Sequence, residues 1–250
     1  MNLIVLAAGK GTRLGGLSQN APKIAALLPH GSTLFAHFVS SFEEADSFEN
    51  MIVVCGYVKE KVELEKARIQ EQKPITLLNN PRYSMAGPVV SVWTAHEYMQ
   101  AEDFVLCNGD TYYSPQVYSE VLEYSGDGVV LGIDQSGAVD PDSMLVRLSR
   151  DGKLMKVGKR IPKDETDGNS IGMVLVKGRQ HRQLFLQIVK DMMGEEKTLE
   201  KASYWHAILN QFIERGYPVH TVVIDSREWQ EIDTESDVVL LEKKLNHDAG

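Results

Sequence analysis

The sequence predicts an α/β protein of the three-layer α/β/α kind, with a mixed, mostly parallel sheet and a β-rich second half. Three observations predict it. Residues 3–6 and 51–55 are unbroken apolar runs with β-branched members, the pattern of strands buried on both faces of a parallel sheet. Segments of helical period alternate with such runs through the first half. From Gly128 onward short apolar runs follow one another, and Arg150-Asp151-Gly152 between two of them is a hairpin signal.

Taken in order, residues 3–6 form the first strand, which runs into Ala7, Ala8, Gly9 and Gly11. Ser32 or Thr33 is placed to cap a helix over Leu34–Glu44, whose Leu34, Phe35, Phe38, Val39 and Phe42 share one face. Residues 51–55 are the second strand, closed by Gly56, and the charge-rich residues 58–72 read as a solvated helix. A short third strand covers residues 75–78, and Asn79-Asn80-Pro81 then forces a turn. Residues 88–99 read as a helix packing Val89, Val92, Trp93 and His96 inward, His96 as a structural histidine. Residues 104–107 are the fourth strand, ending in Asn108-Gly109-Asp110. Such sheets hold ligands at the carboxyl ends of their strands, where Asp110 falls.

In the second half, residues 129–133, 145–148, 154–157 and 171–176 read as strands, and Arg179–Met193 and residues 202–215 as helices. Residues 219–224 and 229–232 follow as strands. Asp233-Thr234 then caps a last helix running through Leu245, its opening acids Glu235 and Asp237 suiting a helix N-terminus. No repeat, low-complexity tract or long linker divides the chain, so residues 1–250 read as one domain.

A hydrophobic fraction of 43% and a charged fraction of 24% are ordinary for a globular protein with a sizeable core. A net charge of −9 weighs against nucleic-acid binding by phosphate neutralisation, although one loop can still be locally positive. Cys55 and Cys107 each end an expected buried strand and read as small core residues, not as a disulfide or metal pair. No signal-peptide pattern precedes the first strand, and no apolar run approaches membrane-spanning length. A cytoplasmic location and no membrane partner are expected.

The residues after the first strand carry the strongest chemical signal. Small side chains at Ala7, Ala8, Gly9 and Gly11 let backbone N–H groups approach a ligand, and Arg13 and Lys23 add fixed positive charge. That combination suits a polyphosphate; the alternative is an ordinary strand-to-helix turn. It is not a dinucleotide fingerprint, because from Gly9 and Gly11 the third glycine position falls on Leu14, and no acidic residue ends a second strand about twenty residues on. Nor is it a P-loop, since Gly9-Lys10-Gly11-Thr12 has neither that spacing nor that order.

The stretch Leu3-Ile4-Val5-Leu6-Ala7-Ala8-Gly9-Lys10-Gly11-Thr12-Arg13-Leu14, followed by Pro22-Lys23, resembles the signature of the nucleotidyltransferases that make NDP-activated sugars and alcohols. The resemblance implies a Rossmann-like fold of the nucleotide-diphospho-sugar transferase type. Residues 1–127 would be the nucleotide-binding part, and residues 128–250 the acceptor-binding part with a second metal ligand. It implies Arg13 and Lys23 as the catalytic clamp on the phosphates, and Mg²⁺ as cofactor on Asp110 and Asp233, the latter in Trp229-Gln230-Glu231-Ile232-Asp233. On local grounds Asp233 reads equally as a helix N-cap. The nucleotide site would draw on Leu6, Ala7, Ala8, Gly9, Gly11, Thr12, Gly87, Ser91 and Asn108, although Ser84-Met85-Ala86-Gly87 departs from the usual base-binding pattern.

Sugar-1-phosphate enzymes of this class usually carry Glu-Lys-Pro in mid-chain, where this sequence has Val157-Gly158-Lys159-Arg160-Ile161-Pro162. Together with Ser203-Tyr204-Trp205-His206, this looks more like the compact CTP-using branch, which includes phosphocholine, phosphonate and inositol-phosphate cytidylyltransferases. CTP and a small phosphate or phosphonate acceptor are the implied partners, with a homodimer allowed; transfer from UTP, dTTP or GTP to a sugar-1-phosphate is the alternative. Lys159 and Gly172 would serve the acceptor, with Lys159 otherwise a solvated lysine among Lys156, Arg160 and Lys163. Tyr204, Trp205 and Trp229 would line a cation–π pocket for an amine, with Glu231 adding charge, unless they are core.

Overall fold

In the computed structural model, which describes residues 1–9, 22–85, 87–136, 142–194 and 204–247, four strands form a parallel set. They are β1 (Asn2–Ala7), β2 (Asn50–Cys55), β3 (Ile75–Asn79) and β4 (Phe104–Asn108), in the order β4-β1-β2-β3. Strand β1 lies between β4 and β2, so the chain leaves it in one direction toward β2 and β3 and later returns to its other side. The crevice where strand order reverses is where doubly wound sheets bind ligands. The carboxyl ends of β1 and β4, with Ala8, Gly9 and Asp110, flank it.

Beyond β4 the sheet continues with the ten-residue β9 (Gly168–Lys177), antiparallel to β4, then β6 (Gly128–Asp134), then β10 (His220–Val223) at the far edge. Strands β7 (Leu145–Leu148) and β8 (Leu154–Gly158) form the hairpin expected at Arg150-Asp151-Gly152 and join through β7 to the start of β9. Among the described residues nine strands share this one sheet, mixed and mostly parallel about β1. A separate antiparallel ribbon pairs β5 (Thr111–Tyr113) with β11 (Trp229–Glu231).

Alternation along β1 sends Leu3, Val5 and Ala7 into one apolar layer and Ile4 into the other. The first layer receives α1 (Leu34–Glu44), α2 (Lys59–Ala67), α5 (Pro115–Leu122) and α8 (Glu235–His247). The second receives α3 (Pro88–Thr94), α4 (His96–Ala101), α6 (Arg179–Met193) and α7 (Ala207–Glu214). Helix α1 shows the local logic. Thr33 Oγ1 accepts from the Ala36 N–H at 3.1 Å, a cap worth about 1 kcal/mol. Phe35, Phe38 and Phe42 are fully buried, each contributing about 1.5–3 kcal/mol of apolar transfer.

Several expected boundaries move. Helix α2 spans only Lys59–Ala67 rather than residues 58–72, because Val58 takes a left-handed φ of 49° and Arg68 closes onto Glu65. The single helix expected over residues 88–99 is two, broken at Ala95, whose ψ of 13° leaves the helical ladder. His96 is half-buried, stacked on Trp93 with ring centroids 4.4 Å apart. Strand β5 and helix α5 carry no strong sequence pattern; the pairing with β11 and burial of Val117 and Val121 create them. Helix α7 begins at Ala207, after a turn at Trp205-His206; residues 202 and 203 lie outside the described part. Cys55 and Cys107 are buried free thiols, as expected. Among the described residues no helix is long and apolar enough to cross a membrane.

Candidate functional site

The ribbon of β5 and β11 assembles the acidic part of the site. Its register sets Glu231 opposite Thr111, and the Ile232 N–H donates to the Asp110 carbonyl at 2.7 Å. Two aspartates 123 positions apart in number, 110 and 233, are thereby brought beside each other, with Glu231 near both. Carboxylate oxygens of Asp110, Glu231 and Asp233 lie within 4.8 Å of one another. Glu231, expected on the acceptor side, therefore stands in the acidic cluster.

Asp237, in the first turn of α8, reaches back to the residues before the helix: its Oδ2 accepts from the Thr234 N–H at 2.7 Å, the Asp233 N–H at 3.0 Å and the Thr234 hydroxyl at 2.9 Å. The Asp233 carboxylate meets Lys23. Lys23 opens a one-turn 3-10 segment after Pro22, anchored by the buried Ile24. Its Nζ lies 2.7 Å from Asp110 Oδ2 and also contacts Asp233 Oδ1, with all three side chains largely shielded from solvent.

A cavity of about 500 Å³ opens beside this cluster at the reversal point of the sheet. Among the residues expected on the nucleotide side, Leu6, Ala8, Gly9, Gly87, Ser91 and Asn108 line it, together with Lys23 and Asp110. Ala7 does not: its side chain points into the opposite apolar layer. Gly11, Thr12 and Arg13 lie outside the described residues. Gly87 precedes α3, and Ser91 in the first turn of that helix accepts a hydrogen bond from Asn80 Nδ2 at 2.9 Å.

Lys159, Gly172, Tyr204, Trp205 and Trp229, expected on the acceptor side, line the same cavity, as does Glu231 of the acidic cluster. Lys159 Nζ pairs with Asp142 Oδ1 at 3.1 Å and stands 4.8 Å from the centre of the Tyr204 ring. Burial works against its charge, but Asp142 and Tyr204 more than offset this, and its pKa stands above the ordinary lysine value. Trp205 is 3% exposed and stacks on His206 at 3.8 Å, so it is core at the cavity wall, not an open aromatic face. Trp229 donates its indole N–H to the buried Asp134 at 3.1 Å.

Sequence reasoning missed the polar contacts that join these residues. Trp205 Nε1 donates to Asn108 Oδ1 at 2.9 Å, and Ser170 Oγ accepts from the Gly172 N–H at 3.0 Å while bonding His206 Nε2 at 2.9 Å. Gly172 has φ +78°, and a Cβ there would run into the Asn108 side chain. Burial pushes the His206 pKa down to about 3, so the ring is neutral near pH 7. No motif in the sequence marks Asp142; Ser170 and His206 stand in stretches that resemble the CTP-using branch, but neither is assigned a role by the sequence, and pairing of β9 with β4 and β7 positions Ser170.

Three carboxylates within reach of one another are a hard-oxygen donor set that suits Mg²⁺. The ammonium of Lys23 on two of them shows that the position accommodates positive charge. An anion with several phosphates, laid from the amides after β1 toward Lys159, would find positive charge at both ends of the cavity.

Comparisons with known proteins bear on this geometry. Residues 3–151 match the family described as MobA-like NTP transferase domain. The bifunctional protein GlmU of Methanococcus maripaludis is 26% identical over 184 residues, 71% of this chain and 40% of that protein. The chain thus spans about two fifths of the length of the curated relatives it matches. Three solved structures share the fold. The inositol-1-phosphate CTP transferase from T. maritima has a TM-score of 0.77 at 20% identity, covering 97% of this chain and 95% of that one. The CTP:phosphocholine cytidylyltransferase from Streptococcus pneumoniae has 0.74 at 17%, covering 98% of each. A UDP-glucose pyrophosphorylase has 0.73 at 15%, covering 99% and 98%.

Proposed function

The chain belongs to the MobA-like NTP transferase domain family, and on that premise we propose that it transfers CMP from CTP to a small phosphorylated or phosphonate alcohol or amine, releasing pyrophosphate. One observation carries the reading. The Lys23 ammonium contacts the carboxylates of Asp110 and Asp233, Glu231 stands with them, and Lys23, Asp110 and Glu231 line one cavity together with Lys159.

The transfer joins an acceptor phosphate or phosphonate oxygen to the α-phosphorus as the bond from that phosphorus to the pyrophosphate oxygen breaks. The attacking oxygen is already ionised near neutral pH, so no general base is needed. Positioning and charge neutralisation do the work. Residues 1–127 would hold the nucleotide: the backbone around Ala8 and Gly9 faces its phosphates, and Leu6, Gly87, Ser91 and Asn108 enclose the nucleoside. Lys23 supplies a point charge to the α-phosphate and the incoming oxygen, and Arg13 a planar fork to the pyrophosphate. Asp110, Asp233 and Glu231 would hold Mg²⁺, which when bound neutralises charge on the phosphates. Within residues 128–250, Lys159 orients the acceptor.

The deciding experiment is a matrix of CTP, UTP, dTTP and GTP against phosphocholine, phosphoethanolamine, 2-aminoethylphosphonate, inositol phosphate and glucose-1-phosphate with Mg²⁺, read as pyrophosphate release. Turnover confined to CTP with a small phosphate or phosphonate supports the reading. Turnover of UTP, dTTP or GTP with the sugar phosphate replaces it with sugar-1-phosphate nucleotidyl transfer.

A further inference from the structure

The side-chain amide of Asn80 has one possible orientation. Its Oδ1 accepts from the Arg82 N–H at 2.9 Å, and a backbone N–H can be met only by the oxygen end of an amide. Nδ2 is therefore the group that faces Ser91 Oγ at 2.9 Å, and it donates. The rest of Asn80 is equally fixed. Its N–H donates to the Cys55 carbonyl at 2.8 Å, its carbonyl accepts from the Tyr83 N–H, and the residue is 1% exposed.

A serine hydroxyl has one hydrogen to donate and two lone pairs to accept with. Asn80 occupies a lone pair of Ser91, so the hydroxyl hydrogen must go elsewhere. Thr94, in the same helix, donates its hydroxyl to the Val90 carbonyl at 2.8 Å. Ser91 makes no such bond: among the described residues Asn80 is the partner of its hydroxyl. Ser91 is 5% exposed and lines the cavity with Tyr83, Ser84 and Gly87. A hydroxyl held in that way leaves its hydrogen for a ligand.

We propose that Asn80 is a positioning residue that fixes Ser91 as a hydrogen donor to the nucleobase, and that this polarity favours cytosine over uracil. The assignment rests on the CTP reading above. Cytosine offers two adjacent acceptors, O2 and the ring nitrogen N3. Uracil carries an N–H at position 3, a donor set against the Ser91 donor. Two donors facing each other in a buried pocket both stay unpaired, which costs more than a bond merely lost. Asn80 does not itself line the cavity, so it acts through Ser91. A carboxylate of the same shape at position 80 reverses the arrangement: it accepts from the Ser91 hydroxyl and leaves a serine lone pair for the cavity.

The test is calorimetric titration of CTP and of UTP, with Mg²⁺ and no acceptor, into the full chain at about pH 8, where an introduced carboxyl is ionised. Wild type is expected to bind CTP at least about tenfold tighter than UTP, the difference between a bond made and a bond opposed. Asn80→Asp is expected to weaken CTP about tenfold and to tighten UTP. General damage to the pocket cannot move the two nucleotides in opposite directions. Ser91→Ala should bring them to within about threefold of each other, and adding Asn80→Asp to it should leave that ratio unchanged. Where Asn80→Asp yields too little folded protein, Asn80→Ala serves, because it frees the hydroxyl to turn; discrimination as large as in wild type then overturns the assignment. An equal loss for both nucleotides in Asn80→Asp, or a wild type that binds UTP as tightly as CTP, overturns it too and leaves nucleotidyl transfer standing. Opposite shifts in binding, with no pyrophosphate released from any pairing of nucleotide and acceptor, keep the assignment and remove the transferase reading.

Discussion

The ammonium of Lys23 lies 2.7 Å from Asp110 and also contacts Asp233, so a residue near the start of the chain ties together two acids from its middle and its end. Lys23 stands where a divalent cation would have to approach those carboxylates. Its replacement by methionine leaves three acids clustered without their cation. In metal-free buffer Lys23→Met is expected to lose about 2 kcal/mol, about 4–8 °C of Tm for a chain of this size. Millimolar Mg²⁺ should raise the Tm of the variant more than that of the wild type. An equal effect of Mg²⁺ on both proteins would show that the lysine and the metal do not share the position.

Asp110→Ala is expected to reduce pyrophosphate release by at least about a hundredfold while changing CTP affinity much less, because in the proposed reaction it acts on charge at the reacting phosphates. Glu231→Gln tests the third acid and should weaken Mn²⁺ binding, followed by its paramagnetic signal, by about tenfold. Unchanged turnover in Asp110→Ala would refute the assignment.

Gly172 sits at φ +78°, and a Cβ there would meet the Asn108 side chain. Gly172→Ala should cost about 2–3 kcal/mol in urea unfolding, from backbone strain and the displaced asparagine together. It should also raise the KM for the nucleotide, since Asn108 lines the cavity.

His206 contributes a pH dependence of defined sign. Its folded pKa is pushed down by burial to about 3, against an unfolded value near 6.5. Between those values the unfolded chain binds the extra proton, so stability is full above about pH 6.5 and falls as pH drops toward 3. From pH 7 to pH 5 this one group should remove about 2 kcal/mol. His206→Gln, which can still bond Ser170, should lose correspondingly less over the same interval. Parallel pH profiles for the two proteins would contradict the burial of that ring.

Both thiols are buried, and burial pushes the Cys55 pKa up to about 12 and the Cys107 pKa up as well. Neither is expected to react with a disulfide reagent at pH 8 in the native protein, and both are expected to react in denaturant.

The sequence alone was sufficient wherever the signal is local. An apolar run of β-branched residues can bury only as a central strand, and β1 needed nothing more; of the small residues after it, Ala8 and Gly9 line the cavity. Asp110 was legible for the same reason, since it directly follows such a strand. Weakly patterned segments were not: β5 and α5 exist because β11 pairs with one and the core takes Val117 and Val121 from the other.

The tertiary structure decided which side chains meet. Glu231, expected beside the acceptor, stands with Asp110 and Asp233 through the register of a three-residue ribbon, and Asp233 meets Lys23 in the same cluster. Asp142 reached Lys159 through the hairpin and the long antiparallel strand beside it. Side-chain type and spacing are written along the chain, but distance between residues far apart in number is fixed only by strand order and register, and those depend on the burial of the whole sheet.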